Sequence, residues 1–322
     1  LIKILTLIKK KLIISVLISM ALGIILGYYF DLSFLAKTIL PLTFLLVYPM
    51  MVTLKLETIF EKWNFKLQIV TQIINFIVFP LIAYGLGLIF FSDNEYLRLG
   101  LLLIALLPTS GMTISWTAMA KGNINAAIKM VIFGLLLGAL LSPIYITLFL
   151  GEAITVPFMK IFTQILVVVI LPTILAFITQ RVLIKKYTAI KFHTYIKPKF
   201  PLFSTLGVVL IIFVAISLKA EKIVNNPSIL IDMIIPLLIL YALFFIISVG
   251  TGRLFFNRNN GIALVNGTLI RSLSLSLAIA LTTFPEAGIT ALLIAIAYTI
   301  QVQVAAWNVR LTKKLFPDEI KQ

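Results

Sequence analysis

The sequence contains no cysteine, one histidine and only 11 acidic residues among 322. Without cysteine there is no disulfide, no thiolate metal site and no sulfur nucleophile, so the redox compartment leaves no mark on the chain. The single histidine, His193, sits in a basic stretch, so no buried serine has an imidazole to activate it. No carboxylate pair falls within an apolar run, and there is no acidic metal-binding repeat. General acid–base, nucleophilic and metal-assisted catalysis all lack parts, which predicts a protein that is not an enzyme and carries no cofactor.

Charge as a whole is also scarce. Charged residues make up 12% of the chain and hydrophobic residues 61%, against about 25% and 45–50% in a soluble domain. The solvent of most of this chain is therefore lipid. What charge exists is mostly basic, with 27 Lys+Arg and a formal net charge of +16. A nucleic-acid partner would need those residues gathered in one domain or stripe and interleaved with aromatics. Here they are scattered between apolar runs, which excludes that partner.

A helix that spans a bilayer needs about 20 mostly apolar residues. Ten such runs are predicted, near 12–30, 40–56, 67–91, 97–119, 124–149, 156–182, 199–218, 229–250, 261–284 and 287–309. The first is longer than a signal-peptide core and is expected to be retained. Placing the termini and even-numbered loops on one side puts 21 of the 27 basic residues there, Lys129 among them, and five on the other. Basic residues are held on the cytoplasmic side during insertion, so both termini are expected inside, in the inner cell membrane. The one remaining basic residue, Arg271, falls within a span.

The halves of the chain repeat. Phe79-Pro80-Leu81 in span 3 matches Ile235-Pro236-Leu237 in span 8, each followed by a tyrosine, Tyr84 or Tyr241; Leu40-Pro41-Leu42 in span 2 matches Phe200-Pro201-Leu202 in span 7. Five spans per half is an odd number, so the second half is expected to be inverted. Inverted repeats build many secondary transporters, with the substrate held at the midplane between discontinuous helices. The predicted fold class is an all-α membrane protein of ten transmembrane helices in two inverted five-helix repeats, with spans 4 and 9 discontinuous and crossing at the midplane.

Two polar runs mark where those breaks should lie. Span 4 carries Pro108-Thr109-Ser110-Gly111-Met112-Thr113, and span 9 carries Asn266-Gly267-Thr268-Leu269-Ile270-Arg271-Ser272-Leu273-Ser274. Proline removes a helical donor and glycine relaxes the backbone, while nearby hydroxyls re-satisfy the freed groups. The second break is expected around Gly267. Close packing through small residues is the competing reading of both runs. An arginine deep in a membrane nearly always faces a cavity or a partner, and no acid lies deep, since Asp232 and Glu286 fall near span ends. Arg271 therefore either binds carbonyls freed by a helix break or meets an anionic ligand. The ligand is the favoured reading, because a guanidinium forks onto a carboxylate or phosphate and half-helix N-termini add positive charge. Asn75 in span 3 and Gln301 in span 10 are further polar insertions. Gln68, Thr71 and Gln72 are expected at the headgroups, and Trp63 and Trp307 at the interface.

These features together resemble the bile acid/sodium symporter superfamily over nearly the whole chain. Pro108 and the tail Ala120-Lys121-Gly122-Asn123 are similar to its span-4 signature, and Trp116 with Tyr48-Pro49-Met50-Met51 is closer to its arsenite-efflux branch. The resemblance implies a panel domain of spans 1, 2, 6 and 7 (about 12–56 and 156–218), a core domain of spans 3–5 and 8–10 (about 67–149 and 228–309), and alternating access. It also implies two sodium sites. The matching positions are Thr113, Ile114, Ala127, Val131 and Gly267 for one, and Asn75, Gly267 and Arg271 for the other, where an arginine in place of a ligand suggests a built-in cation. The positions of the arsenite branch's cysteine and acid fall at Thr109 and Ser276.

The expected function is transport of a small organic anion, with Arg271 as counter-charge. Thr109, Ser110, Thr113, Thr268, Ser272 and Ser274 would donate or accept hydrogen bonds, and Asn75, Asn266 and Gln301 would complete the wall. The alternatives are a metalloid permease, and a channel or non-transporting receptor on the same fold. The partners are the lipid bilayer and the small anion.

Overall fold

A computed structural model of the protein describes residues 2–53, 64–151, 158–225, 227–284 and 287–317. Leu56, Trp63, Val156 and Glu286 lie outside them. The described chain is built from α1 (Ile2–Lys10), α2 (Leu12–Tyr29), α3 (Ile39–Val52), α4 (Phe65–Ile73), α5 (Phe79–Phe90), α6 (Glu95–Leu106), α7 (Gly111–Met119), α8 (Ile124–Leu150) and α9 (Phe158–Ile165). It continues through α10 (Leu171–Tyr187), α11 (Ala189–Lys191), α12 (Phe200–Ser217), α13 (Ala220–Asn225), α14 (Ser228–Phe255), α15 (Arg258–Leu269), α16 (Leu273–Thr283) and α17 (Gly288–Leu315). No strand occurs among the described residues, only one isolated backbone bridge between Pro108 and Arg271.

Among the described residues, eight helical stretches are long and apolar enough to cross a membrane: 12–29, 33–52, 65–90, 124–150, 161–187, 189–217, 228–255 and 288–315. The other two predicted spans are each a pair of shorter helices, α6 with α7 and α15 with α16. The first interruption falls where Pro108 predicts it. The second does not fall at Gly267: α15 continues through Leu269 and the backbone unwinds at Ile270–Ser272. Gly267 stays inside an intact turn: Asn266 Nδ2 donates to Ile262 O (3.0 Å) and Thr268 Oγ1 to Leu264 O (2.9 Å), both one turn back along the helix, so these polar side chains are satisfied within α15 and do not re-satisfy a break.

The chain forms two compact units. One comprises Leu1–Leu54, Ile154–Ile231 and Ser274–Ala295. In it α12 packs on α2 and α3 through small residues: Ser19 Oγ donates to Val209 O and Ser204 Oγ to Leu46 O, each at 2.6 Å. A Cβ added at Gly207 would lie 2.8 Å from the Leu46 backbone. Hydroxyls and glycine let backbones approach where lipid supplies no hydrophobic drive between helices. Outside the spans, Asp31 accepts from the Ser33 N–H (2.9 Å), which holds its carboxyl below the usual aspartate value.

The other unit comprises Lys55–Ala153, Asp232–Leu273 and Ile296–Gln322. Four of its helices start on asparagine: Asn64, Asn94, Asn123 and Asn257 each accept from a backbone N–H of the first turn of α4, α6, α8 and α15. Such caps hold donors that the helix cannot use itself, worth about 1 kcal/mol each. Between α4 and α5 the chain widens into one π-helical turn, Ile74–Val78, just before Pro80. Proline cannot donate to the carbonyl four residues earlier, and Tyr145 Oη donates to that carbonyl, Phe76 O, in its place. Gln68 and Thr71 are buried, with Gln68 Nε2 donating to Ala126 O (3.2 Å), so the expectation that they meet headgroups is corrected. Lys129, counted above with the inner loops, is likewise buried, in the second turn of α8.

Candidate functional site: a buried guanidinium at two helix breaks

The two interruptions meet. Thr109 N–H donates to Ile270 O (2.9 Å) and Ser272 N–H to Leu107 O (2.7 Å), so the unwound segments pair as a short antiparallel bridge. This satisfies backbone groups that each helix end leaves without a partner. Gly134 and Gly138, one turn apart on α8, make room for the first segment. A Cβ at Gly134 would lie 2.6 Å from Thr109 Oγ1, and one at Gly138 would lie 3.1 Å from Leu106 O. Thr109 itself has φ 62°, a left-handed conformation uncommon for a non-glycine residue.

Beyond the break, Ser110 caps α7. Its Oγ accepts from Met112 N (3.2 Å), while Thr113 Oγ1 accepts from Ser110 N (3.1 Å). This is a reciprocal capping box. Thr109, Ser110, Thr113 and Ser272 are buried, whereas Gly111 and Met112, whose N–H groups open α7, are half-buried.

Arg271 is 0% exposed, and four of its five guanidinium N–H donors go to protein oxygens. Nε donates to Ile104 O (3.0 Å), Nη1 to Asn75 Oδ1 (2.6 Å) and Thr268 O (2.9 Å), and Nη2 to Ala105 O. Every one of these acceptors is uncharged. Ile104, Ala105 and Thr268 lie in the last turns of α6 and α15, so the guanidinium faces the negative ends of two half-helices. The sequence reading had set it beside their positive ends. The rings of Phe79 and Phe244, stacked at 3.9 Å, lie 5.6 and 5.4 Å from its central carbon, so the stacked pair flanks the guanidinium from one side. Of the two partners open to Arg271, freed carbonyls or an anionic ligand, this structure shows the carbonyls.

Gln301 holds the Arg271 backbone as a neighbouring strand would. Its Oε1 accepts from Arg271 N (2.7 Å) and from Tyr241 Oη (3.0 Å), and its Nε2 donates to Arg271 O (3.1 Å). Gln301→Ala is expected to lower stability by about 2–6 kcal/mol, because a buried N–H and C=O lose their partners at about 1–3 kcal/mol each. Thermal unfolding in detergent checks this, and an unchanged midpoint contradicts it.

The remaining predicted residues divide. Asn75 Nδ2 donates to Gly267 O (3.0 Å), which ties it to both the guanidinium and α15. Asn266 faces away, pairing with Asn308 (3.1 Å), and the Thr268 hydroxyl bonds Ser248 (2.6 Å). Ser274 belongs to the other compact unit. Tyr241, Phe79, Phe244, Gly134 and Gly138 were missed as site residues. Tyr241 and Phe79 stood in the repeated Pro motifs, and Gly134-Leu-Leu-Leu-Gly138 has the spacing of a close-packing motif, so each left a signal.

At the sodium positions implied by the family resemblance, the side chains are apolar or already bonded within the protein. Ala127 and Val131 are buried apolar residues, Ile114 has no polar side chain, and the Thr113 hydroxyl accepts from the Ser110 cap. Met130 Sδ occupies the space that a side chain at Gly267 would enter. At the second set, Asn75 and Arg271 bond to each other. Among the described residues no cluster of three or more His, Cys, Asp or Glu converges.

Among the described residues, eight apolar helices long enough to span and two paired breaks around a buried charge define a multi-pass membrane protein with the features of a transporter. The family model for the sodium bile acid symporter family matches residues 40–226, more than half of the chain, and the chain belongs to that family. An arsenical-resistance protein Acr3 of Alkaliphilus metalliredigens is 22% identical over 299 residues, covering 87% of this chain and 83% of its own length. The Acr3 of Corynebacterium glutamicum is 26% identical over 268 residues, covering 78% and 72%. Sodium/bile acid cotransporter 7 of Xenopus tropicalis is 30% identical over 184 residues, covering 56% of this chain and 51% of the cotransporter. The chain is a transporter and not an enzyme.

Proposed function

We propose that this transporter moves a small organic anion by alternating access. It does so as a ten-span protein of two inverted five-helix halves with both termini in the cytoplasm. In this reading α6–α7 and α15–α16 are discontinuous spans 4 and 9. Spans 1, 2, 6 and 7 form the panel domain, and spans 3–5 and 8–10 form the core.

The observation that carries the anion is the charge balance at the breaks. A permanently charged guanidinium is bonded to neutral oxygens only, so its charge is not compensated by an acid among its hydrogen-bond partners. A few residues away, α7 opens with N–H groups that are half-buried, not sealed, and a helix N-terminus carrying partial positive charge is a ready site for an anion. Thr109, Ser110, Thr113 and Ser272 line that end, and Arg271 acts on the anion through the pairing of the two breaks. Asn75, Gln301 and the Thr268 carbonyl hold Arg271 in place.

Proteoliposome uptake of labelled small carboxylates tests this. Native protein is expected to show saturable, competable uptake, and Arg271→Gln, purified as a monodisperse sample, to lose at least about ten-fold in rate, the equivalent of 1.4 kcal/mol. Unchanged uptake by the variant overturns the role of the charge. Ohmic, non-saturating flux would favour a channel.

The two Acr3 relatives, each aligned over most of this chain, favour metalloid efflux as a second reading. Protection of a pump-deficient host on arsenite or antimonite plates would support it. Absence of protection removes it.

A further inference from the structure

The groups around Arg271 form the kind of cradle that transporters with broken helices use for a free monovalent cation. Half-helix C-termini and unwound carbonyls coordinate sodium in such proteins. Here the last-turn carbonyls of α6 (Ile104 and Ala105) and of α15 (Thr268), with Asn75 Oδ1, surround one guanidinium and leave its site lined with neutral oxygen. The stacked rings of Phe79 and Phe244 flank it. The site is already occupied, by a cation on the protein's own chain. An arginine cannot be deprotonated in a protein, and this one is sealed from solvent.

We propose that Arg271 is a resident cation that takes the place of a dissociable monovalent cation in holding the two helix breaks together, so that folding and transport in this protein are independent of sodium. Shortening the side chain would then leave an oxygen-lined vacancy that a small cation can enter. The transport half of this proposal rests on the anion-transporter reading above; the cradle does not, and it is tested on stability alone.

The experiment compares thermal unfolding of purified native protein, Arg271→Ala and Arg271→Met. Each is measured in choline chloride, in sodium chloride, in potassium chloride, and in choline chloride with millimolar methylguanidinium. Native protein is expected to unfold at one temperature in all four. Arg271→Ala is expected to be destabilised in choline and to regain stability, saturably and by several degrees, in at least one of the other three. Arg271→Met, whose side chain refills the space without charge, is expected to show no recovery. An Arg271→Ala midpoint identical in all four media overturns the proposal, as does a native midpoint or native uptake rate that rises with sodium.

If Arg271→Ala cannot be purified in any medium, Arg271→Lys decides. A folded lysine variant, indifferent to sodium, beside an unfolded Arg271→Met supports a requirement for fixed positive charge. Lysine and methionine variants of equal stability overturn it. Failure to transport any carboxylate, with the cation rescue intact, counts against the anion reading and not against the cradle.

Discussion

Arg271→Met is expected to be severely destabilising, with an unfolding midpoint far below that of native protein. The substitution roughly conserves the apolar part of the side chain, so the loss is one of donors. Three carbonyls and the Asn75 amide oxygen are left facing an uncharged chain. Each buried polar group that loses its partner costs about 1–3 kcal/mol, and together these approach the roughly 5–15 kcal/mol that holds a typical domain folded. Against this stands the desolvation that burying a lone guanidinium requires, which the variant no longer incurs. The bonds are expected to outweigh it because four acceptors, two of them at each helix break or tied to it, lose their donor at once. Fluorescence-detected size-exclusion chromatography across a temperature ramp measures the result. A variant as stable as native protein would mean that the two segments close into continuous helix without the arginine.

Gly134→Ala is expected to cost about 1–3 kcal/mol, the usual effect of forcing atoms into a packed interior, and to abolish uptake at assay temperatures that native protein tolerates. The new Cβ would sit 2.6 Å from Thr109 Oγ1 and 3.2 Å from Pro108 Cγ, so the unwound segment must move. That hydroxyl donates to Pro108 O (2.7 Å), and Thr109 already has a left-handed backbone. Thr109→Gly removes the colliding atom and suits the same φ without a steric cost. The double variant Gly134→Ala with Thr109→Gly is therefore expected to recover most of the stability that Gly134→Ala loses, a coupling that a double-mutant cycle reads directly. Gly85→Ala is the control. Nothing lies within 4 Å of a Cβ there, and glycine to alanine in an open helical site is neutral or mildly stabilising. Additive losses in the cycle would show that Gly134 matters for a reason other than Thr109.

Why the first break was legible and the second was displaced follows from the residues. Proline at 108 deletes a helical donor, whatever surrounds it. Gly267 only permits a break, and α15 runs helical through it, with Asn266 and Thr268 bonded to carbonyls one turn back and Asn75 Nδ2 donating to Gly267 O. The unwinding moves on to Ile270, where the bridge to Leu107 and Thr109 supplies other partners. Burial of Gln68, Thr71 and Lys129 was illegible for a related reason. Polar residues near the end of an apolar run read as headgroup contacts unless the helices packed against them are known.

The sequence by itself determined the solvent of the chain, its apolar runs, the non-enzymatic class and the presence of one charge with no acid in reach. These are properties of composition and period, and they survive any rearrangement of the spans. Only the tertiary structure decided what that charge touches. A guanidinium is satisfied by any converging carbonyls, and every residue carries one, so nothing in the side-chain pattern marks Ile104 or Ala105, which lie 167 and 166 residues from Arg271 along the chain. They become its partners because α6 and α15 end at the same place, and helix ends are where carbonyls are left with a bond to give.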